Sequence, residues 1–288
     1  MIGNALEARG AVGEKVATID PIASPHESST YALQLPVRSR KPRRCGLTSI
    51  IDNGVSVGQL QHLLADFHPY LDIAKFGTGT AFATPALHRK VALYRTHSVE
   101  PYFGGTLFEK FFHQGKIPAF RRLLRDFGIG MVEISNGTVD IPLAERLRLV
   151  REFSEEFTVL AEVGCKDTSR TMPPSRWIEE IQALLEAGAR YVITEGRDSG
   201  TAGVYRASGE LRTDLAEDIC QRVDPQQLIF EAPTGKSQMF FINLVGAEVN
   251  LGNVKPEDLL LLETQRLGLR CETFFLDEAR QEAGSCGC

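Results

Sequence analysis

The sequence predicts a single (β/α)₈ barrel of the TIM type, preceded by a flexible N-terminal arm. Three observations support this prediction: eight short apolar runs that end in glycine or polar residues, helical patterns in most of the gaps, and a length of 288 residues. Alternating strands and helices indicate a parallel sheet with helical crossovers. Eight such units in about 230 residues fit one barrel, which typically takes about 250.

The strand-like runs are distributed between residues 45 and 253. In chain order they are CGLTSIIDNG, YLDIAKFGTGT, VEPYFGGT, GIGMVEISNG, FTVLAEVG, ARYVITEGRDSG, QLIFEAPTG and AEVNLGN. A doubly wound open sheet is the alternative arrangement for such a series. No GxGxxG motif follows the first run, so a dinucleotide-binding fold lacks support.

Two of the helical patterns have clear boundaries. The stretch SVGQLQHLLADF places five apolar residues on one helical face, namely Val57, Leu60, Leu63, Leu64 and Phe67. The stretch PPSRWIEEIQALLEAGA is expected to begin with a cap at Ser175 and to end at Gly188.

The two ends of the chain differ from the middle in composition. Residues 1–40 are polar and aperiodic, and they lead into the basic run VRSRKPRR, which we interpret as a solvated linker rather than a nucleic-acid contact. The segment 276–288 resembles a frayed tail. We therefore predict a flexible arm over 1–40 and a catalytic barrel over 41–275.

Composition and charge limit the classes of partner. With 43% hydrophobic residues, 24% charged residues and a formal net charge of −5, the chain has the composition of an ordinary globular protein. The negative charge argues against nucleic acid or an anionic membrane as a partner. The six cysteines are scattered and the N-terminus lacks an apolar signal region, so we expect a cytoplasmic protein.

Four consecutive strand-like runs carry a glutamate near their C-terminal ends: Glu133, Glu162, Glu195 and Glu231. In (β/α)₈ barrels the chemistry lies at these ends of the strands. So many carboxylates in one place need a cation. Either basic side chains supply it, with Lys75, Lys166, Arg197 and Lys236 as the candidates, or a hard divalent ion does, and oxygen-only ligands favour Mg²⁺ over zinc. Asp52 and Asp72 are expected to add acids near the first two strands.

Glycine-rich turns follow several of the same runs, in KFGTGT, FGGT, EGRDSGTAG and VNLGN. Such turns let main-chain N–H groups converge on an anion, and the last two loops of a barrel often hold a phosphate. We therefore predict a phosphorylated or multiply anionic small substrate. The predicted substrate-binding and phosphate-binding residues are Lys75, Lys236, Ser237, Gly252 and Asn253.

Nine blocks of the chain, in order, resemble those of the phosphosulfolactate synthase family. They are GLTSIIDNG, DIAKFGTGT, FGGTLFE, VEISNGT, EVGCKD, EGRDSGTAG, IFEAP, VNLGNV and LETQRLGLRCET. The resemblance implies a barrel enzyme that needs Mg²⁺ and adds sulfite to phosphoenolpyruvate, with products that feed coenzyme M biosynthesis. It also implies a homo-oligomer, and specifically a trimer. A plant heat-stress-associated protein resembles the same family.

The resemblance also implies roles for individual residues. Lys166 is at the position of the family's catalytic lysine and is expected to protonate the substrate carbon, with Arg197 as a second catalytic residue. The glutamates of the four runs are expected to hold the Mg²⁺.

The chain departs from the family pattern in ways that bear on the second substrate. Asn53 and Cys165 stand where the family usually has lysines, and Thr78 stands where it has an aromatic residue. Three hypotheses therefore stay open: addition of sulfite, addition of another nucleophile such as a thiol, and a non-catalytic stress-associated protein on the same barrel. The retained glutamates and Lys166 argue against the third, because buried charge is costly.

Overall fold

The computed structural model describes residues 33–164, 172–196, 203–205 and 210–276. Its centre is a closed barrel of eight parallel strands that follow one another in chain order, with the last strand paired to the first. The strands are β1 Thr48–Asp52, β2 Ile73–Phe76, β3 Glu100–Phe103, β4 Met131–Ile134, β5 Thr158–Val163, β6 Tyr191–Thr194, β7 Leu228–Glu231 and β8 Leu251–Val254. The predicted fold is confirmed.

Helices connect the strands and surround the barrel. In the described residues they are α1 Val57–Phe67, α2 Thr80–Ala83, α3 Leu87–Thr96, α4 Gly105–His113, α5 Ile117–Asp126, α6 Leu143–Ser154, α7 Pro174–Glu186, α8 Thr213–Arg222, α9 Gly235–Val245 and α10 Leu259–Arg266. None of these helices is long and apolar enough to cross a bilayer.

The strand register determines which side chains enter the barrel. Lys75 of β2 is the partner of Tyr102 on β3, and partners in a parallel pair project to the same face. Phe76, the next residue along β2, projects outwards and lies edge-on to Tyr94 of α3 at 5.9 Å between ring centroids. Lys75 therefore points into the barrel, and the period-two alternation of each strand separates the interior from the helical layer.

The boundaries of the two predicted helices differ in accuracy. Helix α1 begins as expected, with Ser56 and Gln59 forming a reciprocal capping box. The predicted cap at Ser175 is wrong, because α7 begins at Pro174 and its N-cap is Pro173. Proline fits the first turn of a helix since its fixed φ is already helical and its missing N–H is not needed there.

The basic run at the end of the predicted arm is not a solvated linker. Arg38 forms ion pairs with Glu248 at 2.5 Å and Glu263 at 3.1 Å, and Arg43 pairs with Asp72 at 3.1 Å. The compact unit that contains the barrel begins at Pro36. The acids that hold these arginines are far away in sequence, so local composition did not reveal them.

Candidate active site

The predicted glutamates lie inside the C-terminal end of the barrel. Glu133, Glu162 and Glu231 belong to β4, β5 and β7, and Glu195 follows β6 directly. The exposed fractions of all four residues are only 1–3%. A group of buried carboxylates is costly unless cations compensate for it.

Lys75 provides part of this compensation. Its ammonium nitrogen lies 3.1 Å from Glu133 Oε2 and 3.1 Å from Glu231 Oε1. The sequence analysis named Lys75 both as a candidate cation for these carboxylates and as a phosphate ligand, and the structure places it between two carboxylates. Its inward direction follows from the alternation of β2, a signal that was present in the sequence.

The electrostatics keep this lysine charged. Burial alone would lower the pKa of Lys75, but Glu133 and Glu231 more than offset that effect and hold the pKa well above its usual value. Burial raises the pKa of Glu231 to about 7, against the opposing effect of Lys75.

Tyr102 is a site residue that the sequence analysis missed. It lies on β3 beside Lys75, and its hydroxyl is hydrogen-bonded to the carboxylate of Glu133. Burial, followed by the charge of Glu133, raises the pKa of Tyr102 well above its usual value, so the group is a neutral donor. Side chains alternate between inward and outward along a strand, and this alternation, which gives Tyr102 the same inward direction as Lys75, could have identified it.

Main-chain N–H groups complete the support of two glutamates. Gly105, at the start of α4, donates to Glu133 Oε1 at 2.7 Å, and Gly196 donates to Glu231 Oε2 at 2.7 Å. A Cβ at position 105 would overlap Glu133 and Ser135, so glycine is needed for this close approach. Two of the predicted anion-binding turns therefore bind the protein's own carboxylates.

Three of the four glutamates converge. One oxygen from each of Glu162, Glu195 and Glu231 lies within 4.8 Å of the other two. Oxygen ligands of an octahedral Mg²⁺ at 2.0–2.1 Å are about 3–4 Å apart, so small side-chain adjustments would suffice for binding. This donor set fits a hard divalent cation. Glu133, predicted as a fourth ligand, instead lies beside Lys75 and the Gly105 amide.

The two aspartates proposed to join the ring do not do so. Asp52 projects to the outside of the barrel, where it pairs with Lys90 of α3 at 2.6 Å. Asp72 precedes β2, at the opposite end of the barrel, and accepts the main-chain N–H of Thr48 at 2.9 Å. Both contradict the expectation. An acid joins the ring only if it occupies an inward-facing position of its strand and lies at the C-terminal end of that strand.

The predicted phosphate residues lie on β8 and at the start of α9. Asn253 has a left-handed backbone with φ +52° and is 5% exposed, and its Oδ1 has no hydrogen-bond partner among the described residues. Gly252 lies beside Glu231 in register. Ser237 is buried and closes a capping box with Thr234, so its hydroxyl serves the helix, whereas Lys236 is exposed.

The predicted catalytic residues Lys166 and Arg197 lie outside the described residues, as does Cys165. Lys166 belongs to the segment that follows β5, the strand of Glu162, and Arg197 belongs to the segment after Glu195. Their roles stay predictions.

Comparison with known proteins adds to the geometry. Residues 36–272 match the model of the family described as (2R)-phospho-3-sulfolactate synthase (ComA). The chain is 43% identical over 249 residues to "Phosphosulfolactate synthase" of Bacillus subtilis (strain 168), covering 85% of this chain and 99% of that protein. It is 36% identical over 235 residues to the protein of that name from Methanocaldococcus jannaschii, covering 80% and 94%.

Among solved structures, the fold is similar to that of Bacillus subtilis HMG-CoA lyase. The TM-score is 0.52 at 12% identity, covering 84% of this chain and 94% of that one. This likeness concerns the fold alone. The family match and the 36–43% identity, which extend over most of the barrel, establish that this chain belongs to the phosphosulfolactate synthase family of enzymes.

Proposed function

We propose that this protein catalyses the Mg²⁺-dependent addition of sulfite to phosphoenolpyruvate, forming phosphosulfolactate. The observation that carries the proposal is the convergence of Glu162, Glu195 and Glu231 within 4.8 Å at the end of the barrel where such enzymes react. Family membership directs that chemistry towards the formation of a carbon–sulfur bond.

The proposed reaction joins two anions and takes up one proton. The sulfur lone pair of sulfite forms a bond to the methylene carbon of phosphoenolpyruvate. The π electrons of the substrate double bond move towards its carboxylate, and the adjacent carbon then takes a proton. When bound, Mg²⁺ supplies positive charge that stabilises the negative charge developing on that carboxylate.

The protein's own residues would hold the reacting groups and deliver the proton. Glu162, Glu195 and Glu231 would hold the ion, while Lys75 and the Gly196 amide keep Glu231 in position. Lys166, in the segment after β5, would be the proton donor, since a lysine near carboxylates stays protonated at neutral pH.

The phosphate would bind at the ends of β7 and β8. Gly252 and Asn253 lie in β8, and the exposed Lys236 is in the first turn of α9. The N-terminal end of an 11-residue helix favours an anion, which supports this placement. Soaking a crystal in phosphate should give density there, and density only at the opposite end of the barrel would refute the placement.

The test of the reaction is direct. Purified protein is incubated with phosphoenolpyruvate, sulfite and MgCl₂ and followed by ³¹P NMR, with excess chelator as the control. A new phosphate-ester resonance that requires both sulfite and Mg²⁺ supports the proposal. Turnover only with a thiol would favour the second nucleophile, and substrate binding without turnover by any sulfur nucleophile would favour the non-catalytic alternative.

The proposal includes a cytoplasmic homo-oligomer, with a trimer as the expected state. Several large apolar side chains are exposed around α10 and the residues after it, including Leu260, Leu261, Phe274 and Phe275. Exposed apolar groups that lie near one another favour association. Light scattering on the purified protein should give about three times the chain mass of 31.8 kDa, and a monomer would contradict this part of the proposal.

A further inference from the structure

A groove lies at the C-terminal end of the barrel, outside the group of glutamates. Its volume is about 490 Å³, and it is formed by the loops that follow β1 and β8 together with helix α1. The residues that matter here are Ile51, Asn53 and Val55 on one side, and Lys255 and Glu257 on the other. A water molecule occupies about 30 Å³ of liquid, so the groove can admit a small anion with part of its hydration shell.

The β1 side of the groove is held in a defined position. Oδ1 of Asp52 accepts the main-chain N–H of Gly54 at 3.1 Å and that of Val55 at 2.9 Å. The same carboxylate binds Lys90 and accepts a hydrogen bond from the Tyr94 hydroxyl at 2.8 Å. This fully buried network fixes the turn that presents Asn53, although Asn53 itself is exposed.

The neighbouring loop after β2 is strained against the same residue. Thr78 has φ +47°, an unusual conformation for a β-branched residue, and its hydroxyl lies 3.4 Å from Asn53 Oδ1. A Cβ on Gly77 would overlap both Asn53 and Ile51. Backbone strain of this kind is concentrated at functional sites, because elsewhere it is only a cost.

The groove is next to the catalytic interior. Ile51 lines it and is the register partner of Lys75, which lies between Glu133 and Glu231. Sulfite carries negative charge, and it has to enter a site that is lined by buried carboxylates. Such an anion needs a cation at the rim.

Lys255 has the properties of that cation. Among the described residues, Lys255 and Glu257 are the charged side chains that line the groove, and Lys255 is exposed and forms no ion pair with another described residue. Lys75, in contrast, is engaged by two carboxylates. Lys255 follows β8 directly and is separated from Asn253 by one residue.

We infer that this groove is the binding site of the anionic nucleophile, with Lys255 and Asn53 as the residues that select it. The ligand class is a small sulfur oxyanion, with sulfite as the case that the proposed function requires; the inference rests on that function. Lys255 attracts the anion by charge, and the amide of Asn53 donates a hydrogen bond to it.

The first test replaces Lys255 with alanine and measures steady-state kinetics with sulfite and phosphoenolpyruvate varied separately. The KM for sulfite should rise about 10-fold, whereas the KM for phosphoenolpyruvate and kcat at saturating sulfite should stay within about 2-fold, because one charge-assisted contact is lost. Lys255→Arg should retain most of the affinity. Lys116→Ala, an exposed lysine before α5, makes the same change in charge and is the control.

The second test changes charge on the opposite wall of the groove. Asn53→Asp preserves shape and should raise the KM for sulfite about as much as Lys255→Ala. Asn53→Lys should lower that KM, and in the Lys255→Ala background it should restore most of the loss. Rescue by charge would not be seen if Lys255 had a merely structural role.

The outcomes separate this inference from the proposed function. Turnover in the wild type with an unchanged sulfite KM in Lys255→Ala and in both Asn53 variants overturns the groove assignment alone. Equal increases in both substrate KM values also overturn it, because they indicate a general disturbance of the site. Absence of turnover with sulfite in the wild type overturns both.

Discussion

At the N-terminal end of the barrel Lys41 donates to three main-chain carbonyls, whereas at the C-terminal end Lys75 lies between two buried carboxylates. The carbonyls that Lys41 contacts belong to His68, Leu71 and His97, at 3.1, 2.6 and 3.2 Å. At the N-terminal end, the hydrogen-bond acceptors of this lysine are main-chain groups of the protein itself. At the other end, Glu162 and Glu195 converge with Glu231, which is one of the two acids that Lys75 contacts.

The two ends of the barrel differ in what their buried charges cost in folding free energy. The cations at the N-terminal end bind main-chain carbonyls next to the strands, and Arg266, like Lys41, donates to such groups, the carbonyls of Ala247 and Val249, at 2.5 and 2.7 Å. The acids at the C-terminal end repel one another, and the raised pKa of Glu231 reflects their burial. Buried carboxylates that converge at one point, as Glu162, Glu195 and Glu231 do, indicate a site that binds a cation or a substrate.

The largest expected effect concerns the residue proposed to deliver the proton. Lys166→Ala should reduce kcat by about 10²–10⁴-fold, the usual contribution of a general acid. Lys166→Arg should not restore the rate, because a guanidinium hardly releases a proton at neutral pH. Cys165→Ala, at the adjacent position, is the control and should change kcat only slightly. Near-normal turnover in Lys166→Ala would show that the role assigned to this residue is wrong.

The next effect tests the group of three carboxylates. Glu162→Gln should lower kcat by about 10²-fold or more, because a metal ligand is lost. Glu179→Gln, on the exposed face of α7, is the control for charge. A variant with normal kcat and a much lower melting temperature would mean that Glu162 is structural.

The prediction for Glu162 depends on features that the sequence itself supplies, whereas the role of Lys166 is implied by the resemblance to the family. The repeat of apolar runs and the glutamates near their ends were visible because strand alternation and barrel chemistry act on local patterns. The alternation of side chains along β2 and β3 would also have shown that Lys75 and Tyr102 point inwards. The phosphate assignment for Lys75 considered its charge and its place near a strand end, but not the face it occupies.

Other features depended on contacts between distant parts of the chain. Arg38 is held by Glu248 and Glu263, more than 200 residues away, and no local signal marks such a pairing. The basic run therefore looked like a linker. Ser237 had the chemistry of a phosphate ligand, yet its hydroxyl is used in a helix cap with Thr234. Short polar side chains satisfy local main-chain groups before they are available to a substrate.

The lysines at the two ends of the barrel should respond differently to Mg²⁺ when they are replaced. Lys75→Met should lower the free energy of unfolding by about 3–5 kcal/mol, because it leaves two buried carboxylates without their cation. Added Mg²⁺ should recover part of this loss, since the ion binds among the same acids. Chemical denaturation with and without MgCl₂ measures both effects. A loss that Mg²⁺ does not reduce would separate Lys75 from the metal site.

The smallest effect is expected at the N-terminal end. Lys41→Met should cost about 1–2 kcal/mol, the penalty for leaving main-chain acceptors without donors where part of the site is still reached by water. Mg²⁺ should not recover this loss, and kcat should be unchanged. A marked fall in kcat would contradict the view that this end serves the fold alone.

Direct titration of Mg²⁺ tests the central claim, which is that Glu162, Glu195 and Glu231 hold a divalent cation. Calorimetry on the wild-type protein without substrate should show one ion bound per chain. Binding should be lost in Glu162→Gln and retained in Glu179→Gln. Equal Mg²⁺ binding in all three proteins, or full turnover by the wild type in excess chelator, would contradict the account.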